Sequence, residues 1–259
     1  ITSAPVAAFG FLGSNPAALA VQGSTLTVAP GQSISLVGGD RGFEYTDPDT
    51  GKPASTSVPG GVTMTGGKLL AFGGQVNIAS VASPGDSPGE VSAVDFMPTS
   101  GMTMGKISLS QGALLDVSAD AAGTVRIHGG QFVIDGATIS ADTINTNGTT
   151  ISAVTNNVDD AQVAIDIYVT GGMSLANELS PALTARTTGT GNAGAISIQS
   201  GNLDATASSS SLTLALIDTH TSGTGTAGSV AITTGNLHAT NKAFFIDTGT
   251  DGTGHGGDI

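Results

Sequence analysis

The chain has 259 residues and a formal net charge of −13, from 20 acidic and 7 basic side chains. A phosphate backbone is held by a Lys/Arg stripe, so this balance argues against nucleic acid, and equally against an anionic membrane, while leaving room for divalent cations. There is no Cys, which excludes disulfides, thiolate metal sites and thiol catalysis, and no apolar run approaches the roughly 20 residues of a transmembrane helix.

Gly is abundant at 39 residues, aromatics make up 4% and Trp is absent. Val, Ile, Leu, Ala and Thr are left to fill the interior, and these suit a narrow space between sheets. Short alternating stretches predict strands over 24–28, 33–37, 61–64, 68–72, 75–80, 106–109, 113–118, 124–128, 131–134, 138–140 and 164–169. The pairs Gly66-Gly67, Gly73-Gly74 and Gly129-Gly130 separate several of them. Nothing between the strands has a helical period, so tandem βαβ units are not expected. Two segments, 40–59 and 83–100, are rich in turn residues or Pro and read as loops leaving the core. Loops on a rigid scaffold are where variable contacts concentrate. The first supplies a candidate binding loop: Arg41, Glu44, Tyr45, Asp47, Asp49 and Lys52.

From 183 to 259 the chain repeats itself. Gly189-Thr190-Gly191-Asn192-Ala193-Gly194 returns 34 residues later at Gly223 and again 29 residues later at Gly252. Gly201-Asn202-Leu203 returns as Gly235-Asn236-Leu237, and Ile217-Asp218-Thr219 returns as Ile246-Asp247-Thr248, with Leu183-Thr184-Ala185 as its earlier copy. The unequal offsets reduce to one Ser-rich insertion around 208–211. Three short strands per repeat, joined by Gly-rich turns, predict a right-handed parallel β-helix of three-strand coils, with 1–259 a single segment of a longer protein. Ile196, Ile198, Leu203, Ala205, Ile217 and Thr219 should point inward. Their counterparts Val230, Ile232, Leu237, Ala239, Ile246 and Thr248 should stack on them about 4.8 Å away.

Several strings resemble the filamentous-haemagglutinin-like exoproteins of two-partner secretion, especially the large cyanobacterial type. They are Phe9-Gly10-Phe11-Leu12-Gly13-Ser14-Asn15-Pro16, Leu36-Val37-Gly38-Gly39-Asp40, the run from Val76 to Gly85, the run from Ile107 to Ala113, and Gly191-Asn192-Ala193-Gly194. The resemblance implies a right-handed β-helix exported through an outer-membrane partner barrel and acting at or beyond the cell surface. That family's secretion domain carries Asn-Pro-Asn motifs. Here Asn15-Pro16 is followed by Ala17, so the secretion domain is expected to lie upstream.

Candidate chemistry is sparse. The best acidic clusters are Asp159-Asp160 with Asp166, and Asp40, Glu44, Asp47 and Asp49 beside Arg41 and Lys52. Either could serve acid–base work on a polysaccharide, although a solvated acidic loop explains both. Asp218 and Asp247 occupy equivalent repeat positions, so two like charges face each other. Water screens them, or Ca²⁺ bridges them together with more oxygens. The Ca²⁺ candidates are therefore Asp218, Asp247, Asp159 and Asp160. Asp204 and His238 should stack as an exposed ion pair. The four His are too scattered for a zinc site. The expected function is non-enzymatic: a structural and adhesive shaft that meets surface glycans or proteins and can self-associate end to end or side by side. The alternative is a β-helical polysaccharide lyase or hydrolase.

Overall fold

A computed structural model describes residues 8–11, 17–39, 42–46, 53–57, 61–83, 89–92, 102–143, 163–177, 181–207, 216–240 and 246–259. These residues form an all-β structure whose main sheets are parallel. Among them there is no helix, and so none long and apolar enough to cross a membrane.

Three apolar columns organise the chain, one for each strand position of the repeat. In the first, Leu19, Val62, Ile107, Phe132, Met173, Leu203 and Leu237 are successive register partners. In the second, Leu26, Leu69, Leu115, Ile139, Leu183, Ile217 and Ile246 follow one another through a seven-stranded sheet. In the third, Ile34, Val76, Val125, Ile165, Ile196 and Val230 do the same. The chain visits the three positions in this order and then begins again. The first and third columns belong to one eleven-stranded sheet, and both sheets face a single hydrophobic core.

Alternation accounts for the burial. Ile196, Ile198, Leu203, Ala205, Ile217 and Thr219 are all at most 1% exposed, as the period of two requires. Their predicted partners pair with them in register, from Ile196 with Val230 to Ile217 with Ile246. Leu237 is half exposed because no described strand stacks on its far side. The less regular segment before residue 183 follows the same columns, so its irregular spacing comes from excursions between strands.

Three details differ from the sequence reading. The first strand position does not always begin after a turn: Val163–Asn177, Ala195–Ala207 and Val230–Thr240 each run through the third and first positions without a break. They bend at a column of glycines, where a Cβ on Gly171, Gly201 or Gly235 would come within 2.5–2.9 Å of the carbonyl of the glycine stacked beneath it. The segment 40–59 is not only a loop. Gly42–Thr46 pairs antiparallel with Pro53–Ser57, as Phe, Tyr and Thr favour. Within 83–100, Gly89–Ser92 pairs antiparallel with Ala8–Phe11.

Buried Thr187 and Thr219 and partly buried Thr248 lock the Gly-rich turns. Thr187 Oγ1 donates to the Gly191 carbonyl at 2.7 Å, Thr219 to Gly228 at 2.5 Å and Thr248 to Gly257 at 3.0 Å. A buried hydroxyl needs such a partner. Thr219 and Thr248 share one repeat position and Thr187 lies two residues further along its own repeat, and each fastens a Gly-rich turn to the strand that precedes it.

Candidate functional site

Two polar surfaces depart from simple alternation. The first lies where the seven-stranded sheet turns its corner. Asp116, Asp218 and Asp247 each accept a hydrogen bond from the backbone N–H two residues on, at Ser118, His220 and Gly249, over 2.9, 3.0 and 2.8 Å. A carboxylate used in this way closes a local turn. In the repeats between them, Asp142 sits two residues past the strand position, and Arg186 occupies the equivalent place on the next repeat. Asp142 accepts from the Arg186 backbone N–H at 2.8 Å and from its Nη2 at 3.1 Å. Arg186 Nη1 also lies 3.8 Å from Asp218.

Asp218 and Asp247 are register neighbours, as their sequence positions require. The counter-charge on the other side of Asp218 is the Arg186 guanidinium. Burial raises the Asp218 pKa above the ordinary carboxylate value. The His220 N–H and Arg186 pull it down, and Asp247 pushes it up, leaving a net rise. Burial works against the Arg186 charge, but the Asp142 and Asp218 carboxylates outweigh it and its pKa is raised. His220 Nε2 lies 3.2 Å from Asp251. Among the described residues no three His, Asp or Glu side chains converge to hold a metal ion.

The second surface is on the face of the eleven-stranded sheet away from the core. Ala79 and Val81 are buried there under Phe9 and Met102, with Val37 beside them. Next to this overlay, Ala79, His128 and Tyr168 are successive register partners, and in the neighbouring column so are Asn77, Arg126 and Asp166. His128 is 4% exposed, with Nε2 4.0 Å from Asp166 Oδ2. Its ring meets Tyr168 edge-on, with centroids 5.9 Å apart at 74°. Asn77 Nδ2 donates to Ser35 Oγ at 3.5 Å, while its buried Oδ1 has no hydrogen-bond partner. A buried acceptor left open costs about 1–3 kcal/mol. A carboxylate, an imidazole, a guanidinium, a phenol and a buried, unpartnered amide oxygen thus gather on three adjacent strands, a set that can both donate and accept hydrogen bonds.

Of the sequence candidates, only Asp166 enters this patch. Asp159 and Asp160 lie outside the described residues, as do Asp40, Arg41, Asp47, Asp49 and Lys52. Glu44 and Tyr45 fall on the strand Gly42–Thr46. The exposed Asp204–His238 contact is present at 3.6 Å. Sequence reasoning missed Asn77, Arg126, His128 and Tyr168 as a group, and Asp142 with Arg186. One signal could have found the first group. Aligning Val125-x-Ile127 with Ile165-x-Ile167 as stacked inward pairs places Arg126 and His128 directly beside Asp166 and Tyr168. No protein-family model, curated protein or solved structure matches the chain.

Proposed function

We propose that this chain is a segment of a right-handed parallel β-helix that forms the structural and adhesive shaft of a secreted bacterial surface protein. The observation that carries the reading is the in-register stacking of three apolar columns, each strand position lying on its counterpart from the previous repeat. A fold in which every repeat contacts only its neighbours grows in one dimension and makes a spacer. Polar and acidic residues on the outer faces keep such a rod dispersed. Export through an outer-membrane partner barrel and a role at the cell surface follow from the resemblance to filamentous-haemagglutinin-like exoproteins. The partners are surface glycans or proteins, and further copies of the shaft. Electron microscopy of the intact secreted protein tests this: thin unbranched rods are expected, and compact round particles would overturn it.

A second reading, a β-helical polysaccharide lyase or hydrolase, draws on the His128–Asp166–Tyr168 patch. Turnover of an acidic polysaccharide such as pectate by the parent chain, abolished by Asp166→Asn, would replace the non-enzymatic reading. Absence of turnover leaves the shaft.

A further inference from the structure

We propose that the outer edge of the strand Gly42–Thr46 binds an extended polypeptide of alternating apolar and basic residues, taken up as a third strand of its hairpin. This names one class of partner for the adhesive-shaft reading and rests on that reading.

The hairpin has a fixed base. The chain leaves the stacked columns after Gly39 and returns at Gly61, and the two ends are pinned together. The Gly61 N–H donates to the Gly39 carbonyl at 2.6 Å, and the Gly39 N–H donates to that of Ala17 at 2.8 Å. Gly61 adopts a φ of +93°, and a Cβ there would overlap the Lys106 carbonyl, so the return point requires glycine. Between these ends, Gly42–Thr46 and Pro53–Ser57 form a two-stranded antiparallel sheet, and among the described residues no third strand joins it. Two strands alone are marginally stable in water, and a third strand supports them. The other outlying ribbon, Ala8–Phe11 with Gly89–Ser92, is used differently: its Phe9 packs with Met102 on Ala79 and Val81.

Residue type selects the edge and the partner. Pro53 opens one strand without an N–H, which blunts that edge. Gly42–Thr46 has no Pro and carries Phe43, Tyr45 and Thr46, which favour extended backbone. In an antiparallel pair alternate residues turn their N–H and C=O groups to the outer side, so this edge offers main-chain hydrogen bonds to an added strand. A glycan has no ladder of N–H and C=O groups to match it, so the partner is a polypeptide. By the period of two, Phe43 and Tyr45 fall on one face with their register partners Thr56 and Ala54, and Glu44 falls on the other with Ser55. An added strand sets its own alternate residues beside these, apolar next to the aromatic pair and basic next to Glu44. The net charge of −13 draws a basic segment in at long range.

The chain has no Trp, so a peptide carrying a single Trp reports its own capture. A short Trp-tagged peptide alternating Lys and Val is titrated with the full chain at low salt, and Trp anisotropy is followed. The same is done with a Glu–Val peptide and with a Lys–Val peptide whose two central Val are replaced by Pro. The expected result is saturable binding of the Lys–Val peptide, weakened about tenfold or more by Pro in the peptide or by Glu44→Pro in the chain. Glu44→Lys, which keeps the strand, should weaken it roughly threefold. Far-UV circular dichroism checks that each variant stays folded. No saturable binding by a folded chain overturns the proposal. So does equal binding of the Glu–Val or Pro-containing peptide, or binding that neither Glu44 variant changes. Rods that do not capture the peptide overturn this edge and leave the shaft. Compact particles that capture it overturn the shaft and leave the edge.

Discussion

Arg186 is the residue on which the acidic corner depends. It stands between Asp142 and Asp218, whose side chains are 16% and 14% exposed, while its own is 44% exposed. Arg186→Ala leaves two half-enclosed carboxylates without their cation. Because much of the guanidinium is in water, the expected loss is only roughly 1 kcal/mol, read as a lower urea midpoint. Asp218 makes the opposite prediction. Its folded pKa is raised, so the folded state holds the proton more tightly than the unfolded chain does. The resulting stability is complete below the unfolded carboxylate pKa and is lost as pH rises through the folded value. Asp218→Asn removes the charge and keeps an oxygen for the His220 N–H. The variant should therefore melt above the parent at neutral pH, and the gap should close as acid protonates the parent. A parent that melts higher at neutral pH would mean that the Arg186 pair outweighs burial. The repeats place Asp218 beside Asp247 and Arg186 at the position of His220 one repeat earlier, but they do not reach Asp142, 44 residues before Arg186.

The strands were legible because period-two alternation and Gly-rich turns are local signals. Expected spans such as 33–37, 75–80 and 124–128 correspond to Ser33–Gly39, Gln75–Ser83 and Thr124–Gly129. The outer patch was not legible, because it exists only once strands 40 or more residues apart stack in register. The bends inside the long strands were hidden as well, since a Gly pair reads as a break whether the ladder stops or only turns. What those glycines do is testable element by element. A Cβ on Gly223 would overlap the Gly189 carbonyl, and one on Gly225 would overlap that of Gly191. Backbone held between stacked neighbours cannot move aside, so Gly223→Ala or Gly225→Ala should cost about 2–4 kcal/mol. Gly172 is the control. A Cβ there meets nothing within 4 Å, so Gly172→Ala should be neutral or slightly stabilising. Thermal melts of the three variants compare the two classes directly, and equal losses would show that the turns tolerate side chains.

At the scale of the whole molecule, stacking governs how the chain opens. A protease must draw an extended segment out of the fold, and here each inner strand is hydrogen-bonded on both sides. Trypsin offers a sharp test because the chain has only seven basic residues. Lys68, Lys106 and Arg126 lie in the strands Lys68–Leu70, Lys106–Ser110 and Thr124–Gly129, each paired with two neighbours. Arg186 is held between Ala185, which donates to the Asp218 carbonyl at 2.9 Å, and Thr187, which donates to that of His220 at 3.1 Å. The other three, Arg41, Lys52 and Lys242, lie outside the described residues, and Lys52 precedes Pro53, a bond that trypsin passes over. Native digestion should therefore leave the chain from Gly42 to Lys242 in one piece, while the urea-unfolded chain is cut at all four inner sites. Mass spectrometry of the time course distinguishes the two patterns. An early cut after Lys106 or Arg126 would place an opening in the middle of the stack, where strands paired on both sides should be the last to yield, and would contradict the stacked columns on which the shaft depends.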